Sequence, residues 1–380
     1  MSIEKLYSKW NYPDPVYDLD IATKNGWYDF GDPSLIWDLY WPKESYRPID
    51  ILVAGCGTHQ AAYYAYKNPD CKVVGIDISN QSLDHQRYLK SKHDLSNLTV
   101  ERVDILDVNS HFRDKFDLIV STGVIHHISN TNQALNNIRA CLKQSGRINL
   151  MVYGRYPRTG IYMMQEVFRI LNLKINDEDL IKAKHILTQI PDWHFAKEYI
   201  RKAGDLQSDP GIADTFLNPI DKSYSVSDLF DLFESAGLEF VDWNDRLHYS
   251  LDAVISSDPY FKDISRRISE IERYRLTELL VQQIATHRVI LSLQGQAQRI
   301  KLSSCDPTKT VPILRYDLSF DQHALRRGHQ ILPLDRFEFE MLKTIDGKNN
   351  IDRLTHIFKK DQLTFVDRLI EFGHCFLIER

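Results

Sequence analysis

No run of 18 apolar residues occurs in this 380-residue chain, so no segment is expected to span a membrane. The opening Met1-Ser-Ile-Glu-Lys5 has no apolar signal stretch either. Cysteine is sparse. The five residues Cys56, Cys71, Cys141, Cys305 and Cys375 are scattered, odd in number and contain no Cys-x-x-Cys pair, so neither a zinc site nor a disulfide framework is expected. An excess of basic charge is missing as well: the net charge is −5 and the pI near 6.3, which leaves no electrostatic footprint for nucleic acid. No internal repeat or low-complexity tract is visible. These absences together lead us to expect a reduced, cytoplasmic protein with no bound metal and no nucleic-acid or membrane partner.

What is present is ample core material, 43% apolar residues, and enough length for two or three domains. The chain is organised around Ile49 to Ser79. The apolar run Ile49-Asp-Ile-Leu-Val-Ala54 ends in Gly55-Cys56-Gly57, and the small and aromatic residues Ala61 to Tyr66 follow. This pattern predicts a buried strand, a tight turn and a helix. A second apolar strand, Cys71 to Ile76, ends at Asp77, twenty residues after Gly57. That is the spacing at which a carboxylate on the second strand tip meets a ribose beside a glycine turn. A dinucleotide turn would have a third small residue where Gln60 stands, and a triphosphate loop would need a Lys-Ser/Thr pair that is not there.

These residues resemble motif I of the class I S-adenosylmethionine-dependent methyltransferases. Val53 stands where that family usually has an acid, and His59 where it often has a third glycine. The resemblance extends over about residues 49–255. Asn97 to Asp107 predicts a third strand ending in acids, Phe116 to Gly123 a fourth, and Arg147 to Tyr153 a fifth. Helices are expected at Ser82 to His93 and Thr131 to Leu142. The resemblance implies that Gly55, Cys56 and Gly57 approach S-adenosyl-L-methionine, that Asp77 with Ile78 holds its ribose, that Asp104 and Ile105 frame the adenine, and that Ser121 faces the methionine end. His126 and His127 follow the fourth strand. Adjacent positions diverge on a helix, which is poor metal spacing; one ring is expected to pack and hydrogen-bond, and the other is a candidate base on the substrate side.

Gly154 to Lys222 departs from the alternation and predicts a helical cap. Its candidate lining is Arg155, Tyr156, Arg158, Tyr162 and Gln165. Tyr162 to Leu171 reads as a helix with Met163, Val167 and Ile170 on one face, and further helices are expected near 177–190 and 194–203. Asn218 and Asp221 are expected to face the site from the far side. His127, Tyr162 and Asp221 are the candidates for orienting or activating the acceptor. A helix over Val226 to Ala236 ends at Gly237 and leads to a sixth strand, Leu238 to Trp243. A seventh is expected near Leu247 to Ile255.

The fold class expected is α/β: a seven-stranded Rossmann-like methyltransferase sheet with a helical cap insertion, plus a small α+β, winged-helix-like C-terminal domain. The segments expected are an aromatic arm or lid over 1–48, the methyltransferase domain over 49–257 with its cap at about 156–222, a helical connector over 258–302, and the C-terminal domain over 303–380. The last of these resembles the corresponding domain of bacterial protein-lysine methyltransferases around Ile345-Asp346-Gly347. No Asn/Asp-Pro-Pro-Tyr/Phe motif follows the fourth strand, where residues 121–124 read Ser-Thr-Gly-Val. The absence weakens the adenine- and glutamine-nitrogen methylation tied to that motif; the resemblance implies in-line methyl transfer to an N or O nucleophile, and the C-terminal domain and aromatic arm favour a protein side chain, docked by that domain, in a monomer or homodimer. A metabolite acceptor, or a non-catalytic cofactor-binding regulator suggested by Val53 and His59, are the alternatives.

Overall fold

The computed structural model describes residues 14–26, 28–203, 206, 208–255, 258–358 and 363–380. Trp10, Tyr12, Pro13 and Trp27 of the aromatic segment lie outside the described residues. The chain forms two compact units. The first takes the described residues up to Tyr28 together with Pro48–Phe240 and Glu278–Gln296; the second takes Asp29–Arg47, Val241–Thr277 and Ala297–Arg380. These boundaries cut across the expected segments, because the aromatic stretch and the helical connector each contribute to both units.

The main sheet has strands β1 (Asp50–Ala54), β2 (Lys72–Asp77), β3 (Leu98–Arg102), β4 (Phe116–Thr122), β5 (Leu142–Tyr153), β6 (Leu238–Trp243) and β7 (Thr286–Leu293), in the order β3-β2-β1-β4-β5-β7-β6; all lie in the first unit except the end of β6 from Val241. β1 runs parallel to β2 and β4, and β5 parallel to β4, whereas β7 joins β5 antiparallel. Near-continuous apolar runs such as Ile51-Leu-Val-Ala54 suit strands covered on both faces. The seventh strand is a correction. Residues 247–255 form short helical turns, with the Ser250 hydroxyl accepting from the Ala253 N–H. The strand is instead Thr286–Leu293, where Val289, Ile290 and Leu291 are fully buried.

Helices Gln60–Lys67, Asn80–Lys92 and Thr131–Ala140 follow β1, β2 and β4. The last two are N-capped by Ser79 and Asn130, whose side chains accept orphan backbone N–H groups. The first lies close on β2. A Cβ added at Gly75 would come within 2.6 Å of the Ala61 Cβ. The close approach that a third turn glycine commonly permits is thus supplied from the strand side.

The cap consists of helices Thr159–Ile170, Asp177–Gln189, Phe195–Lys202 and Asp209–Ile212, then a π turn over Ala213–Leu217. Its core is Ile161, Met164, Phe168, Leu180, Ala183, Leu187, Ala196 and Phe216. Of the face formed by Met163, Val167 and Ile170, Val167 packs against this core, whereas Met163 and Ile170 are exposed.

In the second unit, β8 (Thr310–Leu314) pairs antiparallel with β12 (Cys375–Glu379), and β9 (Ser319–Phe320), β10 (Ala324–Arg327) and β11 (Gln330–Pro333) form a small meander. Helices Arg336–Thr344, Ile351–Ile357 and Thr364–Glu371 close over Leu325, Met341, Leu354, Val366, Leu369 and Leu377. The buried aromatics Trp37, Tyr40 and Trp41 belong to this unit, where the Pro42 carbonyl accepts the Glu379 N–H at 2.9 Å. Among the described residues no helix is long and apolar enough to cross a membrane.

Gly75→Ala should lower the unfolding free energy by about 1–3 kcal/mol through overpacking against Ala61. A urea midpoint equal to wild type would show that the helix can move away without cost.

Candidate active site

The turn after β1 is shaped by two left-handed glycines, Gly55 at φ +76° and Gly57 at φ +54°. A side chain on Gly55 would also lie 2.4 Å from Val124 Cγ2. The N–H groups of Gly55 and Cys56 both donate to the Ile76 carbonyl at 2.9 Å, which fastens the turn to β2. Asp77, at the tip of β2, accepts the Gly57 N–H through Oδ2 and the Ser79 N–H through Oδ1, each at 2.9 Å. The twenty-residue spacing is therefore a direct contact. Partial burial pushes the Asp77 carboxyl up, and the N–H bonds from Ser79, Gly57 and Ile78 oppose that rise. Each carboxylate oxygen has a second lone pair for a hydroxyl, so the residues present fit a ribose lying across this bend.

Gln86 was not visible as a site residue in the sequence. Fully buried on helix Asn80–Lys92, it donates through Nε2 to the Cys56 and Gly57 carbonyls at 3.0 and 3.1 Å, and accepts the Ala62 N–H at 2.9 Å. One amide thus ties both sides of the turn to the first helix. Nothing in the local pattern separates it from any other helical glutamine. The Cys56 thiol is buried and pushed well up, first by burial and then by the Asp77 charge. His59, where the helix begins, packs beside Tyr28 with ring centroids 5.3 Å apart, and burial lowers its pKa to about 4.

The remaining expected cofactor residues sit on neighbouring strand ends. The Ile78 carbonyl accepts from Arg102 Nε at 3.1 Å. Asp104 is exposed and caps the turn Ile105–Asp107 by accepting the Leu106 N–H at 2.9 Å, while the Ile105 side chain is buried. Ser121 is a correction. It is fully buried and its hydroxyl donates to the Ala54 carbonyl at 3.0 Å, so it binds β4 to β1 and does not face a ligand. The next residue, Thr122, is the half-exposed one, and its Oγ1 accepts from Gln60 Nε2 at 2.8 Å.

The candidates for acceptor chemistry are brought together at the carboxyl ends of β4 and β5. Residues 218–224 lie across these ends: the Lys222 N–H donates to the His126 carbonyl at 3.0 Å and the Tyr224 N–H to the Tyr153 carbonyl at 2.9 Å. His127 Nδ1 is 2.8 Å from the Ile220 carbonyl and 3.2 Å from Asn218 Nδ2. Nε2 lies 3.9 Å from Asp214, which the π turn places there and whose role the sequence pattern does not announce. Asp221 Oδ2 accepts from Arg158 Nη2 at 2.6 Å and from Gln165 Nε2 at 2.9 Å. The Arg158 and Asp221 side chains are 1% and 0% exposed. Arg158 also donates to the Tyr199 hydroxyl at 3.1 Å and stands 3.8 Å above the Tyr153 ring. Tyr162 lies alongside, its phenol pushed up by burial and then by the Asp221 charge. Arg155 instead pairs with Asp228 at 2.8 Å, half-exposed.

Residues 46–199 match the family model described as a methyltransferase domain. An uncharacterised protein of Synechococcus sp. is 29% identical over 244 residues, 62% of this chain and 58% of that relative. An uncharacterised methyltransferase of Schizosaccharomyces pombe is 30% identical over 119 residues, 29% of this chain and 39% of that relative. The chain thus spans less than two thirds of the curated relatives it matches. Among solved structures, PKMT2 from Rickettsia typhi shares the fold with a TM-score of 0.66 at 13% identity, covering 92% of this chain and 75% of that one. The same protein in complex with AdoHcy gives 0.64 over 92% of this chain.

Two outcomes follow from the turn. Gln86→Met leaves buried backbone groups unpaired and should cost about 1–3 kcal/mol of stability, read from denaturant midpoints. His59 is neutral in the fold, with its pKa lowered from 6.5 to about 4. The unfolded chain therefore binds more protons below 6.5, and stability present above that pH should drain away as the pH falls toward 4. His59→Asn should flatten the pH–stability curve over this window, and an unaltered slope would show that His59 does not contribute.

Proposed function

We propose that the protein moves the sulfonium methyl of S-adenosyl-L-methionine onto a nucleophile of a protein side chain, a reading supported by the match of residues 46–199 to the methyltransferase-domain model. The observation that carries the transfer reading is Asp77, anchored by the Gly57 and Ser79 N–H groups at the mouth of a left-handed glycine turn. The bound cofactor would supply an electrophilic methyl group. The chain's own residues do the rest. Gly55, Cys56 and Gly57 present backbone to the cofactor, Asp77 grips its ribose, and Asp104 and Ile105 border the adenine. His127, Tyr162 and Asp221 present the acceptor from the cap side. Alignment of two reactants with water excluded is worth roughly 7–11 kcal/mol, so positioning supplies most of what methyl transfer asks of a protein.

The protein acceptor is supported by the second unit. Its C-terminal part, residues 310–379, carries three helices and two small antiparallel sheets, and the unit presents none of the turn or cap residues just described. The fold likeness to PKMT2 covers 92% of the chain, so it takes in this unit as well. We assign the unit to docking a protein substrate. A metabolite acceptor is the competing reading.

Asp77→Ala should weaken S-adenosylmethionine binding by about 10- to 100-fold, the loss of one or two charge-assisted hydrogen bonds, measured by calorimetry. Unchanged affinity would remove the basis of the transfer reading. Methyl-labelled cofactor added to lysate with the purified chain should place label in a discrete protein band. Label confined to small metabolites would decide for the competing acceptor.

A further inference from the structure

We propose that His126, and not its neighbour His127, is the member of the histidine pair that hydrogen-bonds the methyl acceptor, while His127 holds the backbone around it. The inference rests on the methyl-transfer reading above and adds a contact residue to it.

The two rings stand side by side in the turn Ile125–His127 after β4, with centroids 4.2 Å apart, and both are buried. Their nitrogens have different surroundings. Around His127, Nδ1 has the Ile220 carbonyl at 2.8 Å and Asn218 Nδ2 at 3.2 Å, and Nε2 has Asp214 at 3.9 Å. Those neighbours are joined to one another: Asn218 Nδ2 also donates to Asp214 Oδ1 at 3.2 Å, and Asn218 Oδ1 accepts the Ile220 N–H at 3.1 Å. His127 therefore fastens the end of β4 to residues 214–220, and the fold occupies both sides of its ring.

His126 is 0% exposed, and neither of its ring nitrogens has a hydrogen-bond partner among the described residues. Its ring lies on that of Tyr153, with centroids 3.8 Å apart, and the Arg158 guanidinium stands 3.8 Å from the centre of the same tyrosine. A phenylalanine would fill this place and bury no orphaned polar atom, so packing gives no reason for an imidazole here. Its position does. The ring sits at the carboxyl ends of β4 and β5, where open α/β sheets receive ligands, and beside the arginine that reaches Asp221 from the cap.

Burial, followed by the charges of His127 and Arg158, pushes the His126 pKa well below the ordinary imidazole range. The ring is thus neutral, and in either tautomer it offers one N–H and one lone pair. It can orient a polar group of the acceptor and adds no positive charge beside a sulfonium that is itself a cation. Because both nitrogens are unsatisfied beforehand, a bond from the acceptor is gained without breaking an internal one. His127 would have to give up a contact with residues 214–220 to do the same.

The test uses the full-length chain, methyl-labelled S-adenosylmethionine and graded amounts of lysate. His126→Phe should lower the labelling rate at saturating lysate by about 10-fold, the loss of one hydrogen bond. Its calorimetric affinity for S-adenosylhomocysteine should match wild type, and its urea midpoint should stay level or rise. His127→Phe should lower the midpoint, because Ile220 and Asn218 lose their partner. Full labelling by a folded His126→Phe protein would overturn the assignment and leave a core histidine. Should phenylalanine prove too large for the protein to fold, His126→Leu removes both nitrogens in a smaller side chain and is read the same way. A wild-type chain that binds S-adenosylhomocysteine but labels nothing would sink the methyl-transfer reading itself, and this contact with it.

Discussion

The carboxylate of Asp77 is the point on which the rest of the first unit turns. It joins the tip of β2 to the bend after β1, because Gly57 gives it an N–H at 2.9 Å while Ser79, at the start of the next helix, gives another. Three consecutive pieces of chain are therefore registered by one side chain. The bend can bring its N–H inward only if Gly55 and Gly57 take left-handed backbone, which side-chain-bearing residues resist. Gln86 closes the opposite side by holding the two outward-facing carbonyls. The Asp77 carboxylate is thus held in place before any ligand arrives, the condition under which electrostatic contacts are worth most.

A second constraint acts on the other side of the strand ends. Residues 218–224 would be an ordinary crossing loop, but they bond to the main chain at both His126 and Tyr153. That pairing carries Asn218 and Asp221 to the ends of β4 and β5. The cap helices add Arg158, Tyr162 and Gln165 from the opposite direction, and Gly160 permits their close crossing, since a Cβ there would lie 2.1 Å from the Ala196 nitrogen. Segments more than fifty residues apart in sequence converge on one carboxylate.

Legibility in the sequence followed locality. The strand, turn, helix and acid of residues 49–79 declare themselves because each lies within one supersecondary unit, and the contact they imply is made between residues 57 and 77. Ser121 was placed at the correct strand tip but on the wrong face. A strand buried on both sides gives no alternation from which to choose. The seventh strand was sought next to the sixth in sequence, whereas it arrives antiparallel from Thr286–Leu293, beyond the helices Leu251–Val254, Pro259–Arg267 and Glu270–Val281. In the cap, Met163, Val167 and Ile170 share one face in the sequence, while the fully buried stripe is Ile161, Met164 and Phe168, because the helix packs against other cap helices and its orientation is a tertiary choice. Asp214 had no local signal at all, since a π turn is what brings it to His127.

The Arg158–Asp221 pair shows why stability alone does not account for this architecture. Removing two charges from water costs several kcal/mol per ion, and replacing a buried pair by apolar side chains of similar volume is often neutral or favourable. A pair retained only for packing would be expected to have every remaining lone pair and proton satisfied. Here one oxygen of Asp221 accepts two bonds and the other accepts none, and the guanidinium Nε is bare as well. The unsatisfied oxygen and Nε set this pair apart from one kept for packing alone.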